Sequence, residues 1–207
     1  MSATETPLTL AVPKGRLEER VREYFGQCGI HFEFGGRELV TQDSEGQIRV
    51  ILVKNSDLPV YVNNGIAGLG VCGYDVIYES GHDFYHLKEF DFGATKMCLA
   101  ARNDFDPSSI TGELRVASKF TRFARDLFHR RGIPVEVIKL AGSVELAPVL
   151  GLAPYIVDLV ETGSTLRANN LAVVEELATI RVYLIANPGY YKFHHKRIEA
   201  FLERLSV

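Results

Sequence analysis

The sequence has little of what would mark a secreted, metal-bound or membrane-spanning chain. It holds only three cysteines, Cys28, Cys72 and Cys98. They are widely spaced, form no CxxC and have no histidine cluster nearby. This argues against a disulfide framework or a zinc site and reads as reduced thiols. No apolar run approaches the ~20 residues a bilayer demands. The opening MSATETPLTLAVPKG lacks a basic stretch followed by an apolar one, as a secretory leader would need. A soluble, cytoplasmic protein is expected. A strong charge of one sign is also missing. The formal net charge is -3, so no global positive field gathers nucleic acid or anionic membrane. Any phosphate site must be a local cluster of cations and backbone amides. His31, His82, His86 and His129 have no ligand-spaced companions. His194 and His195 are adjacent on a helix and point in different directions, a poor chelate.

The chain does have the composition of a folded α/β protein. Its 207 residues suit one sizeable domain or two small ones, and 46% hydrophobic with 24% charged content argues against disorder. Residues 8–12 read as a strand. Leu17, Val21, Tyr24, Phe25 and Cys28 then recur on one helical face, stopped at Gly29. Further strands are expected at 48–53, 68–72, 95–101, 114–117, 135–140, 155–160 and 172–186. Helices are expected at 73–78, 120–128 and 145–150, from Leu166, and along the final stretch through Ile198, Phe201, Leu202 and Leu205. Alternation of this kind predicts parallel sheets covered on both faces, with ligands at the carboxyl ends of strands. Asp106 to Ser109 forms a loop cluster, but no long linker divides the chain.

The chemistry concentrates between Tyr155 and Leu171. An apolar strand delivers Asp158. Glu161 follows three residues later, then the turn Thr162-Gly163-Ser164-Thr165 and a helix at Leu166. The hydroxyls offer donors, and Gly163 lets amides approach a ligand closely. A helix start adds unsatisfied N–H groups. That combination suits a dianionic monophosphate. The carboxylates would repel phosphate but can accept hydrogen bonds from ribose hydroxyls. The segment as a unit therefore fits a ribose 5-phosphate. A plain helix N-cap with acids near its positive end is the alternative.

Acidic residues before a TGxT turn resemble the PRPP loop of phosphoribosyltransferases. The longer run is more specific. Glu145, Gly151, Ala153, Ile156, Asp158-Leu159 and Thr162-Gly163-Ser164-Thr165-Leu166 resemble the signature of ATP phosphoribosyltransferases. AVPKGRL, Gly36-Arg37-Glu38-Leu39, Ser56 to Val62, Gly68 to Asp75, Phe92 to Met97 and Val116 to Phe120 resemble further segments of that family. Gly68 stands where the family usually has Asp, and Lys54 where relatives often carry Arg. The chain stops soon after its last helix, with no room for the histidine-sensing domain of long-form members. The resemblance is therefore to the short form.

That resemblance implies a two-lobed α/β fold of the type II periplasmic-binding-protein kind, with the active site in the cleft between lobes. Residues 1–92 and 178–207 would form one lobe and 93–177 the other. It implies transfer of phosphoribosyl from PRPP to N1 of ATP, with pyrophosphate leaving, as the opening step of histidine biosynthesis. Asp158 and Glu161 would hold the ribose and favour positive charge in the ring. Thr162, Gly163, Ser164 and Thr165 would hold the 5-phosphate, with Lys54 beside them on PRPP. Lys14, Gly15, Arg16, Arg37, Lys96 and Lys119 would face ATP and pyrophosphate, Lys14 and Arg16 with catalytic weight. Mg2+ would ride on substrate phosphates rather than a protein cage. A homodimer and a histidyl-tRNA-synthetase-like regulatory subunit would be the partners. Two rivals stand beside this reading: a phosphoribosyltransferase acting on a free base, and a solute-binding protein of the same architecture without catalysis.

Overall fold

A computed structural model describes residues 6–109 and 112–206. The chain divides into two compact units, Met1–Gly93 with Arg181–Val207, and Ala94–Ile180.

The first unit is built on strands β1 (Leu8–Pro13), β2 (Val40–Gln42), β3 (Ile48–Val53) and β4 (Leu69–Gly73). They order as β2-β3-β1-β4, with the end of β9 (Leu171–Ala186) beside β4. β1 runs parallel to β3 and β4, while β2 and β9 run antiparallel to their neighbours. The sheet is therefore mixed rather than parallel as expected. Helix α1 (Arg16–Gln27) buries Val21 and Phe25 against it. Leu17, Tyr24 and Cys28 pack at the margin of the same core, which also takes in Ile198 and Phe201 of α7 (Pro188–Arg204). Burying a side chain such as Phe25 contributes about 1.5–3 kcal/mol. Gly29 then reverses the chain at φ 74°, and the Ile30 amide donates to the Phe25 carbonyl at 2.8 Å.

Two elements here escape the sequence pattern. The three-residue β2 is too short to show alternation. Helix α2 (Leu58–Asn63) has the sequence LPVYVN, rich in β-branched residues that favour strands. It is helical because Leu58 and Val62 bury against β4, where Gly70 leaves room. A Cβ on Gly70 would lie 2.7 and 2.8 Å from their methyls. Gly68 has a similar explanation. A Cβ there would fall 2.0 Å from the ring of Tyr190, whose hydroxyl accepts the Thr9 amide hydrogen at 3.1 Å. The departure from the family pattern at Gly68 is thus filled by an aromatic ring from α7. Further along α7, His194 breaks helical geometry (φ -119°, ψ 16°) and packs 4.3 Å from Tyr190, centroid to centroid.

The second unit orders its strands as β5 (Tyr85–Arg102), β8 (Tyr155–Val160), β6 (Leu114–Ser118) and β7 (Val135–Lys139). β6 runs parallel to β7 and β8, and β5 antiparallel to β8. Both β5 and β9 begin in one unit and end in the other. β5 starts ten residues before the expected 95, in a stretch whose apolar residues Leu87, Phe90 and Phe92 alternate imperfectly among mostly exposed neighbours. Helix α4 (Thr121–Arg130) buries Phe123, Ala124, Leu127 and Phe128. Gly132 at φ 68° ends it as Gly29 ends α1. Helix α5 is only Leu146–Val149, and α6 is Ser164–Ala168. All three cysteines are free thiols. Among the described residues, no helix is long and apolar enough to cross a membrane.

Candidate functional site

In the second unit the parallel register of β6 and β8 sets the geometry. Ser118 pairs with Val157, so Lys119, just past the carboxyl end of β6, comes beside Asp158 in the last half of β8. The buried Ser118 hydroxyl fixes this corner. It donates to the Val157 carbonyl at 2.6 Å and accepts the Phe120 amide hydrogen at 2.9 Å. Lys119 Nζ stands 3.8 Å from Asp158 Oδ1 and 4.7 Å from the centroid of the Phe120 ring. The Leu159 amide donates to the same Oδ1 at 2.8 Å. Burial pushes the Asp158 carboxyl above its usual range. The Lys119 ammonium and the Leu159 N–H oppose that rise, while Glu145 adds to it.

Beyond β8 the chain turns through Glu161, Thr162 and Gly163 into α6. Gly163 sits at φ 69°, in the left-handed region a Cβ disfavours. The Thr162 and Ser164 hydroxyls lie 3.0 Å apart, and Leu166 anchors the turn in the core. Five residues give α6 little macrodipole, so anion binding rests on the N–H groups and hydroxyls themselves. Arg167 supplies a positive charge that the sequence reading missed. Its Nη1 donates to the Thr162 carbonyl at 3.0 Å, so the turn carries a guanidinium at its side. The clue in the sequence was a basic residue three positions after Ser164, on the same face of a helical turn.

Lys96 faces Val160 across the β5–β8 ladder, at the edge of this turn. Its ammonium is held by Glu176 at 2.6 Å, which raises its proton affinity, chiefly through the hydrogen bond.

In the first unit the basic candidates share one end of the sheet. Pro13 and Val53 are register partners, and the Lys14 amide donates to the Val53 carbonyl at 2.8 Å. Lys14 and Lys54 therefore leave neighbouring parallel strands side by side, both exposed. Gly15 follows at φ 96°, ψ -154°, a conformation open to glycine alone, and Arg16 opens α1. Arg37 lies in an exposed turn. Leu39 accepts the Leu52 amide hydrogen at 2.8 Å, so the β2–β3 register carries the Arg37 turn to the same end as Lys54. Two further groups at this end were not singled out from sequence. Asp75, at the start of α3 (Tyr74–Ser80), is 5% exposed, and Asn55 Oδ1 is buried without a hydrogen-bond partner among the described residues. A carboxylate two residues past a glycine-ended strand was the available signal for Asp75.

Among the described residues, no three His, Cys, Asp or Glu side chains gather as a metal would require. The site's resources are cations, hydroxyls and amides, plus the Asp158 and Glu161 carboxylates. Cations, hydroxyls and amides can bind phosphate, and carboxylates can accept from sugar hydroxyls. A sequence-family model described as ATP phosphoribosyltransferase matches residues 54–207. The chain belongs to the ATP phosphoribosyltransferase family. An ATP phosphoribosyltransferase of Brachyspira hyodysenteriae is 39% identical over 202 residues, covering 96% of this chain and 98% of that one. The Geobacter metallireducens enzyme is 41% identical over 206 residues, covering 96% of each. Among solved structures, the ATP phosphoribosyl transferase (HisG:HisZ) complex from Thermotoga maritima superposes with a TM-score of 0.83 at 35% identity, covering 96% of each chain. A periplasmic VFT2 domain of Bordetella pertussis BvgS gives a TM-score of 0.58 at 16% identity, over 89% of this chain and 82% of that one. It shares the fold alone. The fold is thus the α/β type of periplasmic binding proteins, and the ATP phosphoribosyltransferase family that shares it catalyses the first step of histidine biosynthesis.

Proposed function

We propose that the chain transfers the 5-phosphoribosyl group of PRPP to N1 of ATP and releases pyrophosphate, with each unit handling a different part of the substrates. The second unit takes the ribose 5-phosphate. The Thr162–Thr165 amides and hydroxyls hold the 5-phosphate, aided by the Arg167 guanidinium. Asp158 and Glu161 accept from the ribose hydroxyls and stabilise the positive charge that grows in the ring as the C1–oxygen bond loosens. The first unit's Lys14, Arg16, Arg37 and Lys54 neutralise polyphosphate, including charge developing on the leaving pyrophosphate. N1 of the adenine attacks C1 from the opposite face. No protein nucleophile takes part, and most of the acceleration comes from positioning and electrostatics.

The observation that carries this reading is the strand-delivered Asp158 followed by the hydroxyl turn at Gly163. The oxygen-rich substrate, not a protein cage, suits a hard cation such as Mg2+. When bound to the pyrophosphate oxygens it supplies further charge neutralisation. The partners in this reading are a second catalytic chain and a regulatory subunit resembling histidyl-tRNA synthetase. The Thermotoga relative was solved as a HisG:HisZ complex. Exposed apolar side chains support association of this chain too. Leu146, Val149, Leu150 and Leu152 cluster around α5, and Phe193 is 87% exposed at the α7 kink.

The test is incubation of the purified chain with PRPP, Mg2+ and ATP, with free bases in parallel. Pyrophosphate release that needs ATP, with a phosphoribosyl adduct of ATP as product, is the expected result. Release with a free base instead overturns the choice of acceptor. PRPP binding without release, even after the regulatory subunit is added, leaves a binding protein in place of an enzyme.

A further inference from the structure

Lys119 was expected among the polyphosphate ligands, yet its surroundings give it another occupation. The Ser118 hydroxyl bonds fix the backbone on both sides of the corner, and the β6–β8 register brings Lys119 to Asp158. The Phe120 ring, 3% exposed, backs the ammonium at 4.7 Å, and Asp158 Oδ1 faces it at 3.8 Å. The Asp158 side chain is only 19% exposed, whereas that of Lys119 is 43% exposed. A buried carboxylate needs compensation more than a half-exposed ammonium does.

We infer that Lys119 is a positioning residue for Asp158, holding its carboxylate ionised and aimed at the ribose hydroxyls, and not primarily a polyphosphate ligand. The inference rests on the reading of Asp158 as the ribose clamp.

Among the described residues, Lys119 from the end of β6 and Glu145 from the start of α5 act on Asp158 by charge, and Cys98 stands opposite it in the β5–β8 ladder. Burial pushes the Cys98 thiol up, so it stays neutral where carboxyls titrate. Lys119 and Glu145 therefore act on Asp158 with opposite sign. Lys119 favours the ionised form and Glu145 disfavours it.

The experiment has a direct reading and a kinetic one. Carboxyl carbon NMR of the free protein follows the Asp158 titration in wild type, Lys119→Ala, Lys119→Arg and Glu145→Gln. The Lys119→Ala midpoint should move to higher pH, Lys119→Arg should stay near wild type, and Glu145→Gln should move it lower. The acid limb of kcat/KM for PRPP should move in the same directions. At its acid end Lys119→Ala should fall about tenfold below wild type and recover as pH rises. Ribose 5-phosphate, which lacks pyrophosphate, should bind Lys119→Ala more weakly in proportion. An unmoved midpoint overturns the inference. So does a loss confined to PRPP with ribose 5-phosphate binding intact, which marks a polyphosphate ligand. If the midpoint moves as expected but Asp158→Asn binds PRPP like wild type, it is the ribose-clamp reading of Asp158 that fails.

Discussion

The lysines singled out in the two units keep different company. In the first, Lys14, Arg37 and Lys54 are exposed and have no acidic partner among the described residues. In the second, Lys96 is tied to Glu176 and Lys119 to Asp158. Away from these candidates both units carry ion pairs, Arg131 with Glu175 and Arg102 with Asp104 in the second, Arg22 with Glu18 and Arg204 with Glu45 in the first. A cation already neutralised must give up its acid before it can offer full charge to a phosphate. A free one gives up only water. In the proposed reading the first unit meets the polyanionic parts of the substrates. In that reading the second takes a single monophosphate, gripped by hydroxyls, amides and the Arg167 guanidinium, and neutral hydroxyls met by carboxylates.

This contrast can be broken in several places. The largest effect is expected from Asp158→Asn with Glu161→Gln, which removes the charge opposite the ribose. Turnover should fall by about 10²-fold or more, as when a preorganised electrostatic contact is lost. Steady-state pyrophosphate release measures it, and wild-type turnover in the double variant would end the clamp role. Asp158→Asn alone should also raise the melting temperature at neutral pH. Burial raises the Asp158 carboxyl above its unfolded range, so the native state binds more protons between the two midpoints. Stability therefore falls as pH rises through that window, and the neutral amide escapes the penalty. Thermal melts at acidic and neutral pH would show the difference between wild type and variant closing on the acid side.

Next in size is Lys14→Ala. Losing one charge-assisted contact costs about 1.5–3 kcal/mol, or roughly 10–100-fold in PRPP or ATP affinity. Melting should be unchanged, since the side chain is exposed. Gly68→Asp sharpens the account of the fold. Its Cβ would meet the Tyr190 ring at 2.0 Å, so the substitution should cost about 1–3 kcal/mol. Adding Tyr190→Ala should recover part of that cost in denaturant melts. The smallest effect belongs to Glu176→Gln. The Lys96 pair is exposed and screened by solvent, so denaturant melts should hardly change. Freed from its acid, Lys96 would gain affinity for phosphate, readable as a lower KM for PRPP. An increase in that KM would place Glu176 in the ligand contacts instead.

Much of the fold was legible because the strongest elements carry their own periodicity. The α1 face of Val21 and Phe25 and the apolar runs of β1, β3 and β8 needed no context. What escaped depends on partners distant in sequence. α2 is helical because β4 presents a glycine to Leu58 and Val62. The outer half of β5 places Leu87, Phe90 and Phe92 without strict alternation among mostly exposed residues, and its core partners lie on α1 and α7. The phosphate turn was legible because Asp158, Glu161 and Gly163 are close in sequence. The link between Lys119 and Asp158 was not, since it is set by the Ser118–Val157 register across 39 positions. Arg167 hid as an ordinary charge on a short helix.

The division of labour itself is tested by titrating ribose 5-phosphate and PRPP, in separate calorimetric runs, into wild type, Lys14→Ala with Lys54→Ala, and Thr165→Ala with Asp158→Asn. The lysine variant should bind ribose 5-phosphate as wild type does and PRPP more weakly, while the second variant should lose affinity for both. Ribose 5-phosphate affinity that falls with the lysines, or survives the loss of Thr165 and Asp158, would contradict the assignment of the monophosphate to the second unit.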